Sequence, residues 1–397
     1  MEIQGIEAFQ KAIPILKKLE SAGFEAYFVG GCVRDYILGR PIHDIDITTN
    51  ASPQEVKGLF RQVLPVGIEH GTVIVRFANQ SFEVTTFRKK PAGEKTFQFS
   101  KELSEDVLFR DFTINALAMD RSGRIIDLVN GKEALCNKII EAVESPDARF
   151  QEDPLRMFRA IRFVAQLNFS IEKETLQAIQ THRHLLESVA IERLKAEMDK
   201  TITAPYFMKA LSYLEKTGLL YVVPIFKEYP KYGSVLQRAT APFSSFSQFV
   251  AFLCFLNKEV GIKDWMKAWS SSNKEKKEAK LLFNALHIHE EEGVTPWLVY
   301  QLPKALHQPF VTIIDTIEGK TVTIKKVREI YARLPIRSRE ELQVDGYLLM
   351  QWFPNRRRGK WIKEMLEAIE YAVVTDQLPN EKDKIKEWIA CHPLATD

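Results

Sequence analysis

One change of rhythm along the chain restricts its fold more than any single motif. Up to about residue 140, short runs rich in β-branched and aromatic residues recur between Gly, Asn and Asp turns: "AYFVGG" (26–31), "DIDITT" (44–49), "GTVIVRF" (71–77), "QSFEVTTF" (80–87) and "GRIIDLV" (123–129). Runs of this kind predict strands. Beyond that point apolar residues fall three and four apart, in "DPLRMFRAIRFVAQLNF" (153–169), "KETLQAIQTHRHLLESV" (173–189), "AIERLKAEMDKTI" (190–202) and "YFMKALSYLEKTGLL" (206–220). That spacing predicts amphipathic helices. The remainder reads the same way through "SQFVAFLCFL", "KEKKEAKLLFNALHI", "FVTIIDTI", "GYLLMQW" and "KWIKEMLEAIEYAVV". A helix is also predicted at the start, where Ile6, Phe9, Ala12, Ile13, Leu16 and Leu19 repeat at helical intervals. The expectation is an α+β head carrying a small sheet, followed by a long all-helical body.

A chain of 397 residues exceeds what one core ordinarily serves, so several domains are expected. Pro, Gly and polar clusters near 224–244 and 333–346 mark breaks. The resulting division is a head at 1–140, a neck at 141–224, a body at 225–335 and a tail at 336–397. The N-terminus lacks a basic-then-apolar signal pattern, and no apolar run reaches membrane-spanning length. Cys32, Cys136, Cys254 and Cys391 lie far apart without a C-x-x-C, which excludes the common zinc spacings and points to reduced thiols in a cytoplasmic protein. The net charge of +3 neither demands nor excludes a nucleic-acid partner. Local patches bear on that more: "NRRRGKW" (355–361) joins Arg356, Arg357, Arg358 and Lys360 to an aromatic, and "IKKVREIYARL" (324–334) adds further cations. Such patches suit a phosphate backbone, and a solvated charge run has the same composition.

The chemistry concentrates between residues 28 and 50. "AYFVGG" runs into a double glycine, and "CVRDYILG" reads as the helix that follows. Gly30 and Gly31 let a ligand approach the backbone, and amides at a helix start with Arg34 nearby suit a phosphate. In "HDIDITT" read as a strand, Asp44 and Asp46 share one face while Ile45 and Ile47 point to the other. Two adjacent carboxylates repel one another, and hard cations such as a pair of Mg²⁺ ions relieve that repulsion. Glu83 in "SFEVTTFR" is either a third metal ligand or a surface strand acid. A two-metal site beside a phosphate-holding turn points to phosphoryl or nucleotidyl transfer. His43 reads as a turn residue, and His70 as a structural residue in a loop before a strand.

Three further segments follow in order: "PVGIEHGTVIV" (65–75), "RDFTINALAMD" (110–120) and "EDPLRMFRAIRF" (152–163). With "GGCVRD" and "DID" they closely resemble the bacterial class II tRNA nucleotidyltransferases, the CCA-adding enzymes, and their poly(A) polymerase relatives. "LPIRSREELQVDGYLL" and "GKWIKEMLEAIEYAVV" resemble that family's tail more loosely. The resemblance implies a polymerase-β-like nucleotidyltransferase head with a mixed sheet, then helical neck, body and tail. It implies that Asp44 and Asp46 are the metal-binding catalytic pair, and that Gly30, Gly31 and Arg34 hold the triphosphate. It further implies that Arg110 and Asp111 engage the nucleotide's ribose, with Asn115 also among the nucleotide-binding residues. Glu152, Asp153 and Arg156 would read the base of CTP or ATP, with Arg159 supporting the site or contacting phosphate. A carboxylate accepts and a guanidinium donates in a fixed fork, so such a pair can serve cytosine or adenine. Asp153 and Arg156, at i and i+3, are near enough to hold each other, with the acids in the first turn of a helix. Arg193 and Glu197 either brace the base-reading helix or form ordinary surface pairs. The implied partners are tRNA, held by body and tail through its outer half, and nucleoside triphosphates; no obligate protein partner is evident.

The chain departs from the family in one segment. Between "EVTTFRK" and "FRDFTINAL" it carries "KPAGEKTFQFSKELSEDVL", shorter than the loop usual in enzymes that build all of CCA and without that loop's D-x-R-R-P element. Phe109 also stands where the family often has a first arginine before Arg-Asp. These departures resemble the CC-adding members. The expectation is CMP addition that stops at CC, with full CCA addition the alternative and a poly(A) polymerase, or a tRNA-binding module with an inactive head, the further rivals.

Overall fold

The computed structural model describes residues 6–89, 97–319 and 321–391, apart from the side chain of His70. It separates into two compact units, Met1–Val223 and Pro224–Asp397.

In the first unit a helix, α1 (Glu7–Ser21), buries Phe9, Ala12, Ile15, Leu16 and Leu19. These residues largely match the stripe expected from the sequence, with Ile15 taking the place assigned to Ile13. Among the described residues eleven strands follow: β1 (Ala26–Val29), β2 (Asp46–Thr49), β3 (Val63–Leu64), β4 (Thr72–Phe77), β5 (Gln80–Thr86), β6 (Arg88–Lys89), β7 (Gln98–Phe99), β8 (Ala118–Met119), β9 (Ile125–Ile126) and a short parallel pair, β10 (Ile139–Ile140) and β11 (Ser170–Ile171). Seven of them form one sheet in the order β3-β4-β5-β2-β1-β8-β9. It is mixed: β2 runs parallel to β5 and antiparallel to β1. The strand expected over "GRIIDLV" is confined to Ile125–Ile126, where Asp127 turns the chain by accepting from the amides of Val129, Gly131 and Lys132. The short pair β6–β7 is antiparallel and sets Arg88 opposite Phe99. Residues 90–96, the first part of the segment singled out in the sequence, lie outside the described residues.

Helices intervene as α2 (Gly31–Ile37), α3 (Pro53–Leu59), α4 (Leu103–Leu108) and α5 (Gly131–Asn137), then α6 (Pro146–Glu152), α7 (Leu155–Leu167), α8 (Lys173–His182), α9 (Ile191–Ile202) and α10 (Phe207–Thr217). α7 and α10 stop where Asn168 and Gly218 turn left-handed, at φ 61° and 71°. Val29, Phe87, Val107, Ala116 and Ala118 form a core that joins the sheet to α4.

"EDPLR" differs from the expectation. It does not open one helix; it straddles two. Glu152 is the last residue of α6, Asp153 is extended at φ −142°, and Pro154 precedes α7. A proline disfavours helical backbone in the residue before it, so the break falls at Asp153. The Asp153 carboxylate then accepts from the Leu155 amide at 3.2 Å, in the manner of an N-cap.

The described residues of the second unit form α-helices and no strand: α11 (Lys231–Leu236), α12 (Phe246–Leu256), α13 (Ile262–Ala268), α14 (Asn273–Glu292), α15 (Pro296–Gln301), α16 (His307–Glu318), α17 (Ile324–Arg333), α18 (Gly346–Trp352), α19 (Lys360–Val374) and α20 (Lys382–Cys391). Its core gathers Phe226, Tyr232, Phe249 and Trp265, with edge-on ring contacts at 5.1–6.4 Å. Ser272 and Glu275 form a capping box that starts α14. Among the described residues no helix is long and apolar enough to cross a membrane.

Candidate active site

The site begins where β1 ends. Gly30 has φ +76° and ψ −136°, a backbone conformation in practice reserved for glycine, and it starts α2. A β-carbon placed there would come within 3.5 Å of Asp46 Oδ2 and 3.6 Å of an Arg110 guanidinium nitrogen. The double glycine therefore brings bare backbone against an acid and a base from elsewhere in the sequence.

Asp46 is the first residue of β2. Asp44 lies just outside the strand and is exposed, which corrects the expectation that both acids sit within it. The alternation nonetheless holds through Ile47, because Ile45 and Ile47 are buried while Asp44 is exposed and Asp46 half-buried. Glu83 is the register partner of Asp46 across the parallel β2–β5 pair. Burial pushes the Asp46 carboxyl up to about 6; Glu83 and Asp44 add to the rise, and Arg110 opposes it. Among the described residues no three His, Cys, Asp or Glu side chains are arranged to hold a metal ion by themselves, so Asp44, Asp46 and Glu83 do not form a closed three-acid site.

Arg110 is fixed from behind. Its Nη2 donates to Asp106 Oδ2 at 2.9 Å, and Asp106 is fully buried, also accepting from Thr48 Oγ1 and the Arg88 amide. Arg110 Nε is buried without a partner. An orphan charged donor beside a glycine turn is a ready place for an anionic group. Asp106 was not singled out in the sequence, although its spacing four residues before Arg110 on a short helix was a usable signal.

Arg34, Asn115 and Asp111, all buried, form a relay with Arg159, which is partly exposed. Arg34 chelates the neighbouring Asp35 carboxylate at 3.0 and 2.9 Å and donates to Asn115 Oδ1 at 2.7 Å. Asn115 Nδ2 donates to Asp111 Oδ1 at 3.2 Å, and Asp111 Oδ2 takes two bonds from Arg159, one of them at 2.8 Å. Burial alone would raise the Asp111 carboxyl, but the Arg159 guanidinium outweighs it and holds the group well below the usual carboxylate range. The charge of Asp111 in turn raises Arg159. These residues tie the turn at Gly31 to α7, and Arg34 stands behind the turn, engaged by protein groups.

A cavity of about 1250 Å³ lies alongside, lined by Arg110, Asp111, Glu152, Asp153, Arg156, Arg159 and Arg193, with Phe97, Phe99 and Phe109 on its apolar part. The pairing within it differs from the expectation. Arg156 donates to Glu152 at 2.9 Å, one turn back, and to the Phe109 carbonyl at 3.1 Å. Asp153 instead takes 2.8 Å contact from Arg193 of α9. The helix break at Asp153 separates it from the Arg156 side chain, and α9 packs against α7. Glu197 does not pair with Arg193; it faces Arg162 at 2.8 Å, without hydrogen-bond alignment. Arg149 completes the group by donating to Glu152 and to the Leu108 carbonyl, each at 2.8 Å. His43 is an exposed loop residue, as expected, whereas the side chain of His70 lies outside the described residues.

In the tail, Arg357, Arg358 and Lys360 are exposed, and Arg356 lies over the Trp361 ring at 5.1 Å.

Residues 26–141 match the family described as Poly A polymerase head domain, residues 168–229 match an RNA- and SrmB-binding site of polymerase A, and residues 243–389 match tRNA nucleotidyltransferase domain 2. Over 97% of its length the chain is 45% identical to a CCA-adding enzyme from Oceanobacillus iheyensis, covering 98% of that protein. It is 40% identical to one from Anoxybacillus flavithermus, again over 97% of this chain and 98% of the relative. Its structure resembles that of the Bacillus stearothermophilus CCA-adding enzyme in complex with CTP, with a TM-score of 0.88, 36% identity and 98% of each chain covered. The fold also matches that of the Thermotoga maritima CCA-adding enzyme complexed with tRNA, with a TM-score of 0.64, 19% identity and 99% and 96% coverage. The chain belongs to the family of CCA-adding enzymes, which are tRNA nucleotidyltransferases.

Proposed function

We propose that this enzyme transfers CMP from CTP to the 3′ end of tRNA, releases pyrophosphate, and stops after the second cytidine. One observation carries the transfer reading: Arg110, with its orphan Nε, sits both against the Gly30 turn beside Asp46 and in the wall of the cavity lined by Asp153 and Arg156. A single nucleotide spanning those points has its phosphates at the turn and acids, and its base at α7. The full-length likeness to CCA-adding enzymes, one of them solved with CTP and another of the same fold with tRNA, supports the choice of substrates.

Asp44 and Asp46 are oxygen donors of the kind Mg²⁺ takes, and burial together with the neighbouring acids Glu83 and Asp44 makes the bare charge of Asp46 unfavourable, which a divalent ion would relieve, so the residues fit one. Glu83 adds negative charge beside them. Bound Mg²⁺ ions would activate the terminal 3′-hydroxyl and neutralise the departing pyrophosphate. Because Mg²⁺ commonly completes its octahedron with substrate phosphates and waters, a pair of protein acids suffices. The Gly30–Gly31 backbone and Arg110 cradle the triphosphate, with Arg34 stiffening the turn from behind. Asp111 and Asn115 form the floor beneath the ribose. Asp153 and Arg156, steadied by Arg193 and Glu152, offer one acceptor and one fork of donors to the Watson–Crick edge. Uracil and guanine present the wrong pattern and leave buried groups unpaired. Arg159 supports Asp111, and Arg356, Arg357, Arg358 and Lys360 contact tRNA phosphates. We place the reaction in the cytoplasm.

The stop after two cytidines rests on the segment between β5 and α4. It is short, and although Lys89 and Lys90 precede Pro91, Phe87 stands where the D-x-R-R-P element that resemblance ties to the switch to ATP has its acid. The deciding assay supplies CTP, ATP or both to tRNA ending at the discriminator base, at C and at CC. Two-nucleotide growth with CTP and no growth of the CC end with ATP is expected. Rapid addition of one A to the CC end overturns the stop; unlimited A tails on generic RNA overturn the tRNA reading.

A further inference from the structure

The apolar part of the cavity is not explained by the groups that hold a nucleotide. Phe99 is 46% exposed although it lines a cavity in a folded head. Its ring rests against the backbone of Gly71: a β-carbon there would lie 2.7 Å from Phe99 Cε1, and Gly71 has φ +78°. Phe99 meets Phe97 at a centroid distance of 6.0 Å, and Phe97 meets Phe109 at 6.1 Å. Phe109 ends the row between two guanidinium groups, Arg88 at 5.2 Å and Arg156 at 5.8 Å from its centroid. The row therefore runs from the proposed base-reading arginine outward to an exposed ring. Leaving Phe99 uncovered in water costs hydrophobic free energy, and the β6–β7 pair and a left-handed glycine both serve to present it.

We infer that Phe99, with Phe97 and Phe109 behind it, is a stacking platform for the unpaired base at the growing 3′ end of the RNA acceptor. The inference rests on the proposed addition to tRNA. Three features select a nucleobase as the occupant. Aromatic rings interleaved with arginines are the combination that holds single-stranded nucleic acid without reading its sequence. The cavity, at about 1250 Å³, exceeds the roughly 300–1,000 Å³ typical of a pocket for one small ligand. Transfer also requires the acceptor's last nucleotide to lie next to the incoming one, and the row abuts Arg156. A platform indifferent to base identity suits an enzyme whose acceptor end changes after each addition, from the discriminator base to cytidine.

The test uses the full chain and a tRNA transcript whose 3′-terminal nucleotide is 2-aminopurine, a base whose fluorescence is quenched by stacking. Wild-type protein is expected to quench it. Phe99→Leu is expected to relieve the quenching and to raise the KM for tRNA by roughly tenfold, with the KM for CTP unchanged. Phe99→Tyr is expected to restore both. Gly71→Ala, which must displace the Phe99 ring without removing any side chain of the cavity, is expected to behave like Phe99→Leu. Equal fluorescence in wild type and Phe99→Leu overturns the platform. So does a rise in the KM for CTP with the KM for tRNA unchanged, since the ring then serves the incoming nucleotide. The quenching needs no turnover, so it reads the platform directly; failure of the wild type to add CMP to unmodified tRNA is a separate result that overturns the proposed function.

Discussion

Asp46 and Glu83 stand side by side at matching positions of two parallel strands, with their side chains on the same face. Burial and this neighbour lift the Asp46 carboxyl to about 6, so the group is protonated below that pH and charged above it. A proton and a divalent cation compete for it. Affinity for Mn²⁺ or Mg²⁺ is expected to fall as pH drops through about 6, by up to tenfold per unit. Glu83→Gln removes one cause of the shift and moves the midpoint lower. Calorimetric titration of the metal-free protein across that range checks both, and a flat affinity through pH 6 refutes the assignment.

The same carboxylate makes an opposite contribution to folding. Its native-state pKa lies above its unfolded value, so the native state binds more protons between the two, and metal-free stability falls as pH rises through that window. Asp46→Asn is expected to remove this dependence and to raise the metal-free melting temperature. Asp44→Ala and Asp46→Ala are each expected to abolish CMP incorporation while leaving tRNA retention in a gel shift unchanged. Residual incorporation in either would remove that acid from the metal pair.

Much of this site was legible because the residues carrying it are close in sequence or fixed by period. The strand alternation put Asp46 opposite Ile47, and the glycine pair marked the turn. Pairings set by tertiary packing were not legible. Asp153 and Arg156 satisfied the helical i, i+3 rule, but Pro154 broke the helix between α6 and α7 and handed each residue a different partner. Nothing in the sequence joins Arg193 to Asp153, forty positions away. The long helices were foreseen because their apolar stripes repeat over several turns. The seven-residue helices α3, α5 and α6 were not, since so short a stretch shows no period.

The Arg34–Asn115–Asp111 relay makes Asn115 a structural hinge-pin of the head. Asn115→Ala leaves a buried guanidinium nitrogen and a buried carboxylate oxygen each short of one partner. Loss of such bonds to charged groups costs about 2–3 kcal/mol, to be read by urea denaturation. Turnover is expected to drop further than stability at a permissive temperature, because the turn and α7 lose their common tie. A variant as stable and active as wild type would show that the relay carries no load.

Arg193→Ala separates specificity from folding. Arg193 is half-exposed, and exposed ion pairs are worth about 0–1 kcal/mol, so the melting temperature is expected to hold. Asp153 would then be free to rotate, and discrimination between CTP and UTP is expected to fall by roughly tenfold in kcat/KM as the acceptor half of the reading pair loses its orientation. Unchanged discrimination would mean that Asp153 does not read the base.

Tail contacts to RNA phosphate predict a salt signature. Arg357, Arg358 and Lys360 are exposed and adjacent, and each phosphate contact releases condensed counterions. Replacing all three by alanine is expected to weaken tRNA binding at low salt and to reduce the slope of log affinity against log salt by up to about 2–3. Because these residues would touch backbone and not bases, the loss is expected to be the same for unrelated tRNA sequences, and addition to a short acceptor-stem minihelix, which lacks the outer half of tRNA, is expected to be unaffected. A minihelix defect equal to the full-length one would move these cations from the tRNA's outer half to its acceptor end.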